Sequence, residues 1–164
     1  MDPTARRTRA ITVPCAALLI ALSGCTGNAP IPSGAQQVQI TVTDAGVDLE
    51  PSSVAAGDVY LVLDDGAISF VERMAGPYGS PEPLDDLQIA QIREGNLQDT
   101  SVSGLEATNC EPEQRAAARG MTGPCGNVML VNVRPGSYLI VAGAPEEPGQ
   151  PSAILTATRT SLKP

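Results

Sequence analysis

Short runs in which apolar and polar residues alternate dominate the chain after residue 37. Val38, Ile40 and Val42 alternate with polar neighbours, and this period of two predicts a strand whose three apolar side chains face a core. Further strands are predicted at residues 47–51, 58–63, 67–72, 128–133, 137–142 and 153–158. The Asp-Asp-Gly turn at residues 64–66 predicts a hairpin, because glycine supplies the positive φ of a tight turn. Short strands separated by glycine and proline turns favour an all-β sandwich.

The segment between residues 73 and 127 has a different pattern. Prolines and glycines interrupt it at residues 77–83, and Asp85 and Asp86 then precede a run with helical spacing. The apolar residues of this run are Leu84, Leu87, Ile89, Ile92 and Leu97. A second helical turn is predicted at residues 111–119. Residues 73–127 are therefore predicted to be a helical insertion, and this longest segment outside the predicted strands is the expected carrier of function.

The first 25 residues have the pattern of a lipoprotein signal peptide. Arg6, Arg7 and Arg9 form a basic region, and residues 11–22 form an apolar run that is too short to span a bilayer as a stable helix. The run ends in Leu-Ser-Gly-Cys at residues 22–25, which resembles the bacterial lipobox. This resemblance implies cleavage after residue 24 and a diacylglycerol on the Cys25 thiol. An ordinary secretory signal cleaved nearby is the alternative.

These patterns predict a domain organisation and a location. The expected parts are a signal peptide at residues 1–24, a lipid-anchored flexible tether at 25–37, a sandwich at 38–160 and a C-terminal tail at 161–164. Two acyl chains bury enough methylene groups for stable anchoring. The protein is expected on the cell membrane or the outer membrane, held by the lipid on Cys25 and facing away from the cytoplasm. The export route, Sec or twin-arginine, stays open.

Two cysteines remain once the signal peptide and the lipid are accounted for. Cys15 leaves with the signal peptide and Cys25 carries lipid, so Cys110 and Cys125 form a single pair in an oxidising compartment. The expected state of this pair is a disulfide that closes the insertion. The alternative, a catalytic dithiol, lacks the Cys-x-x-Cys spacing.

Composition and charge exclude several classes of function. The chain contains no histidine, which excludes histidine-based triads, histidine metal ligands and histidine pH switches. The formal net charge is −8, and aromatic residues make up only 2 % of the chain. Loss of residues 1–24 removes one acid and three arginines, so the mature charge is −10. Nucleic-acid binding is therefore not expected, because neither a basic patch nor stacking rings are present.

Three sets of residues are candidates for a chemical site. Thioether ligands for Cu(I) would be Met74, Met121 and Met129, although strand alternation favours core packing for Met129. Oxygen ligands for Ca²⁺ would be Asp44, Asp48, Glu50, Asp64 and Asp65, but their spacing matches no EF-hand and favours a solvated acidic face. Serine nucleophiles would be Ser69, Ser101 and Ser137, which have no histidine partner and no Gly-x-Ser-x-Gly elbow. The sequence thus predicts no catalytic residue, no metal site and no cofactor.

Several strand segments resemble the cupredoxin family. The resemblance lies in residues 38–42, in the VxLxPSSVxAG pattern at 47–57, in residues 59–63 and in the VxPGSYLIV pattern at 133–141. It covers about half of the mature domain and implies a Greek-key β-sandwich. A blue-copper member of the family would place ligands where Ser69 or a neighbour and residues 142–144 stand here. The resemblance therefore implies a cupredoxin-like fold without a type 1 copper site, and a fold alone does not carry function.

The favoured function at this point is a non-catalytic binding or structural module. Its partner, a protein or a small molecule, would contact the insertion at residues 73–127. The alternative is a metal-handling or electron-transfer accessory protein of the cell envelope. Phe70, Tyr138 and the turn at residues 142–144 are expected to converge at the end of the sandwich that holds copper in a copper protein. That end is predicted to be closed by packing.

Overall fold

A computed structural model describes residues 28–74, 81–106 and 110–159. The predicted signal peptide and the lipidation site Cys25 lie outside these residues. The strands in chain order are β1 (Ala29–Pro30), β2 (Gln36–Thr43), β3 (Gly46–Glu50), β4 (Ser53–Ala55), β5 (Gly57–Leu63), β6 (Ala67–Met74), β7 (Pro81–Glu82), β8 (Thr100–Glu106), β9 (Met121–Thr122), β10 (Val128–Val133), β11 (Gly136–Ala142) and β12 (Ser152–Thr158). The helices are α1 (Asp86–Arg93) and α2 (Pro112–Ala117). The predicted all-β class is confirmed.

The strands form two sheets. In the first sheet the order is β1-β9-β10-β5-β2-β3, and β2 runs parallel to β5. In the second sheet the order is β4-β12-β11-β6-β7, and β8 pairs with β6. The chain passes from the first sheet to the second between β3 and β4 and returns between β4 and β5, so a short strand between two predicted strands joins the second sheet.

Apolar side chains fill the space between the sheets because each strand alternates its side chains across its two faces. Val38 and Ile40 of β2 are fully buried there, as the period of two predicts, and Val42 packs against the same core. A smaller core covers the other face of the second sheet, where Ile89 and Ile92 of α1 are buried. Its remaining members are Val71, Leu84, Leu139 and Val141. Helix α1 thus seals one side of the second sheet.

The predicted hairpin at residues 64–66 is wrong. The turn is present and Gly66 has a φ of +91°, but β5 and β6 belong to different sheets. Strand β5 is already paired on both sides, by β2 and by β10, and β6 is paired by β11 and β8. The turn therefore carries the chain across the sandwich, and it marks one end of the molecule.

The predicted insertion at residues 73–127 is only partly an insertion. Both predicted helices form, but Thr100–Glu106 is a full strand that pairs with β6 from Ala67↔Glu106 to Arg73↔Thr100. Only Leu105 of this strand is buried, so no apolar alternation marks it in the sequence. The described part of the predicted tether is also partly sheet, because β1 pairs with β9 and β2 begins at Gln36. None of the helices in the described ranges has the length and apolarity needed to cross a membrane.

Candidate functional site

A cavity of about 510 Å³ lies at the end of the sandwich marked by the turn between β5 and β6. Its floor is the turn itself together with Leu63, Ala67 and Leu105. Its roof is α2 and the chain that follows, including Cys125 and Asn127. A volume of this size falls in the range of small-ligand pockets. The roof belongs to the predicted insertion, so this part of residues 73–127 does form a concave surface.

Asn127 fixes the roof to the sandwich. Its side-chain amide donates to the Leu63 carbonyl at 2.7 Å, and its Oδ1 accepts from the Gly120 amide at 2.6 Å. The Leu63 amide in turn donates to the Asn127 carbonyl at 2.9 Å. One side chain therefore joins the end of β5 to the chain that leaves α2. The sequence gives no periodic signal for this role, because Asn127 lies just before a strand in an ordinary turn position.

A disulfide closes the same roof. The predicted bond between Cys110 and Cys125 is confirmed, with the two Cα atoms 5.7 Å apart. Helix α2 buries none of its own residues, although Ala118 directly after it is buried. Gly126 beside the disulfide has no room for a side chain, since a Cβ there would collide with the Met121 carbonyl oxygen. Covalent closure and close backbone packing thus hold a segment that has almost no core of its own.

Two positive charges line the cavity on the side of α2. Arg115 and Arg119 form no ion pair with another described residue. The carboxylates on the opposite wall are engaged: Asp64 accepts from Gln39 Nε2 at 2.6 Å and from Thr41 Oγ1 at 3.1 Å, and Asp65 accepts from the Gly66 amide. The cavity therefore combines an apolar floor, two guanidinium groups that form no ion pair with a described residue, and two acids whose hydrogen-bond donors are neutral.

The positions that the cupredoxin resemblance assigns to copper ligands lie next to this cavity and touch each other. Ser69 is buried, and its hydroxyl donates to the Gly143 carbonyl at 2.7 Å. The Gly143 amide donates to the Ala67 carbonyl at 2.9 Å. These hydrogen bonds pair the start of β6 with the end of β11. Ser69 is buried at this end, but Gly143 is exposed and the cavity lies beside Ala67, so the expectation that this end is closed by packing holds only for Ser69.

Phe70 and Tyr138 do not converge on the turn at residues 142–144, so that prediction is wrong. The two rings stack with their centroids 5.3 Å apart, and both residues are about 1 % exposed. Tyr138 lies about 13 Å along β11 from Ala142, because a strand rises roughly 3.3 Å per residue. Its hydroxyl donates to the Arg134 carbonyl and accepts from the Arg134 amide, and burial raises the pKa of this phenol. The stack is a core feature in the middle of the sandwich.

The three methionine candidates lie on three different strands, with Met74 in β6, Met121 in β9 and Met129 in β10. Met129 packs against the core as expected, whereas Met74 is exposed at the end of β6. No group of three or more histidine, cysteine, aspartate or glutamate side chains among the described residues is placed to hold a metal ion.

Comparisons with known proteins do not assign the chain to a family. No family model matches it, and no curated protein matches it.

Sequence analysis missed one residue of chemical interest, Glu72. Ile68 and Phe70 lie on the core face of β6, and the period of two puts Glu72 on the same face. The residue is 8 % exposed, and no described residue forms a hydrogen bond or an ion pair with its carboxylate. Burial raises the pKa of this carboxyl. The sequence does contain a signal for Glu72, because this acid occupies a core position of the strand predicted at residues 67–72.

Proposed function

We propose that this chain is a lipid-anchored, cupredoxin-like binding module of the cell envelope, without a type 1 copper site and without catalytic activity. The observation that carries the proposal is the cavity of about 510 Å³ beneath the disulfide-closed roof. The cupredoxin-like part is supported by the segments that carry the resemblance, because they lie in β2, β3, β4, β5 and β11 of the two facing sheets. The absence of histidine from the whole chain supports the lack of a copper site.

The cavity favours a ligand with an apolar body and an anionic group. Leu63, Ala67 and Leu105 supply the apolar surface, and Arg115 and Arg119 supply the unpaired charges. A ligand of this class would bury apolar area on the floor and replace water at the guanidinium groups. Two kinds of ligand share this chemistry. One is the carboxyl terminus of a protein partner, and the other is a small amphiphilic anion.

We expect an amphiphilic anion to bind at this cavity and copper not to bind stoichiometrically. The probe is 8-anilinonaphthalene-1-sulfonate, titrated by fluorescence against the folded chain. Replacing Ala116, which lines the cavity, by tryptophan should weaken binding at least tenfold. Ala117→Trp is the matched control, because Ala117 is on the same helix and does not line the cavity.

If Ala116→Trp binds the probe as tightly as the wild type, the cavity is not the binding site and the proposal is contradicted. The wild-type protein is also titrated with Cu(II) and examined by metal analysis and visible absorption. A stoichiometric metal or an intense thiolate-to-copper band would favour the alternative function, a metal-handling or electron-transfer accessory protein.

The anchor is tested separately. Replacing Cys25 by serine removes the thiol that would carry the lipid, so the protein is expected to move from the membrane fraction to the soluble extracytoplasmic fraction. Cys15→Ser is the matched control, since it also removes a cysteine of the leader region. Membrane association of Cys25→Ser equal to that of the wild type would contradict the lipoprotein assignment.

A further inference from the structure

A second concave site lies on the side of the sandwich, away from the disulfide. It is a groove of about 370 Å³ between the two sheets, lined by Phe70 and Glu72 of β6, Ser103 of β8, and residues 130–132 and Arg134 at β10. Glu72 is more than nine-tenths buried and has no polar partner among the described residues. Burial partly desolvates this carboxylate, and a cation placed beside it would offset the cost of that desolvation.

Both walls of the groove are strand edges that lack a full partner in the described part of the chain. Strand β8 pairs with β6 alone, and β10 pairs with β9 only at Val128. The edge of β10 from Met129 onward is therefore open, and Leu130 beside it is about half exposed. Open edges of this kind pair with extended segments of other chains.

The buried Glu72 carboxylate and the open edge of β10 fit a single kind of ligand. A strand added beside β10 would direct every second side chain toward the other sheet, where Glu72 lies. We propose that the groove binds an extended segment of a partner protein and takes one of its lysine or arginine side chains against the Glu72 carboxylate. The negative net charge of the chain also favours a basic partner.

Among the described residues that line the groove, Arg134 carries the charge that opposes this binding. It lines the groove, but its Nη1 lies 4.0 Å from Glu82 Oε1, and Glu82 also pairs with Arg73. The Arg73 hydrogen bond lowers the pKa of Glu82, so this acid stays ionised and holds the two arginines. Arg134 thus pairs with Glu82 at the limit of ion-pair distance and forms no ion pair with Glu72. A bound ammonium or guanidinium would also lower the raised pKa of Glu72.

The test uses a capped pentapeptide with one central lysine between valines, and the same peptide with norleucine in place of lysine. Binding to the ¹⁵N-labelled chain is measured by NMR shifts. We expect the lysine peptide to shift the amides of Ser103, Leu130 and Asn132, and the norleucine peptide to bind at least tenfold more weakly. Glu72→Gln should weaken lysine-peptide binding at least tenfold. Glu106→Gln, which removes an exposed acid of the same edge strand without lining the groove, should not.

Three results would overturn the proposal. The first is equal affinity for the lysine and norleucine peptides, and the second is equal affinity of Glu72→Gln and the wild type. The third is binding to Arg134→Gln but not to the wild type, which would mean that Arg134 already neutralises Glu72. Thermal unfolding of each variant checks that a loss of binding is not a loss of fold. The cavity beneath the disulfide does not enter this experiment, so its outcome is independent of the proposed function.

Discussion

Replacing Phe70 by alanine is expected to lower the free energy of unfolding by about 3–5 kcal/mol, the usual cost of deleting a large buried ring. Phe70 is the only phenylalanine, is about 1 % exposed and stacks on Tyr138 with the ring centroids 5.3 Å apart. The loss combines missing apolar burial, a cavity between the sheets and the missing ring contact. It is a large share of the roughly 5–15 kcal/mol that stabilises a domain of this size. Denaturant unfolding followed by circular dichroism measures it.

Leu87→Ala is the matched control for Phe70→Ala. Leu87 is also a large apolar residue, but it is 68 % exposed on α1, so its truncation should change the unfolding free energy by less than about 0.5 kcal/mol. Equal unfolding midpoints for Phe70→Ala and the wild type would contradict the packed centre described here. Because Phe70 also lines the groove at Glu72, its removal should in addition enlarge that groove.

The strands that the sequence predicts well are those with one face in the core. Val38 and Ile40 are buried while their neighbours are not, and this contrast is what the period of two detects. Strand β8 lacks the contrast because only Leu105 is buried in it, so the sequence pattern predicts an insertion there and not a strand. Local patterns also do not report which sheet a strand joins. The turn at residues 64–66 has hairpin chemistry, but the pairing of β5 and β6 is decided by their other neighbours.

The candidate site depends on contacts that are distant in sequence. Asn127 bonds to Leu63 across 64 residues, and Ser69 bonds to Gly143 across 74. A pattern within one strand does not specify such pairs, so the cavity was not predictable, although its disulfide was. Glu72 is different, because its position on the core face of β6 follows from local alternation with Ile68 and Phe70. Buried acids of this kind can be found from sequence if the core face is checked for polar residues.

Replacing both Cys110 and Cys125 by serine is expected to lower the free energy of unfolding by about 3 kcal/mol, because a bond that closes a loop of roughly 15 residues restricts the unfolded chain by that amount. The native segment should also loosen. Residues 112–117 bury no side chain, so after the disulfide is lost the roof depends mainly on Ala118 and the Asn127 hydrogen bonds. Denaturant unfolding measures the global loss, and amide hydrogen exchange measures the local one.

Amide exchange at different places in the fold distinguishes the local effect of the double replacement from its global effect on stability. Amides of α2 should exchange faster in the variant, whereas those of β2 and β11 should keep their order of protection, because both strands lie in the core away from the disulfide. Treating the wild type with a reductant should reproduce the variant, which controls for the added serine hydroxyls. Two free thiols in the unreduced mature protein, or equal unfolding free energies before and after reduction, would contradict a stabilising role for the disulfide. Retained probe binding after reduction would show that Ala118 and the Asn127 hydrogen bonds are sufficient to hold the roof in place.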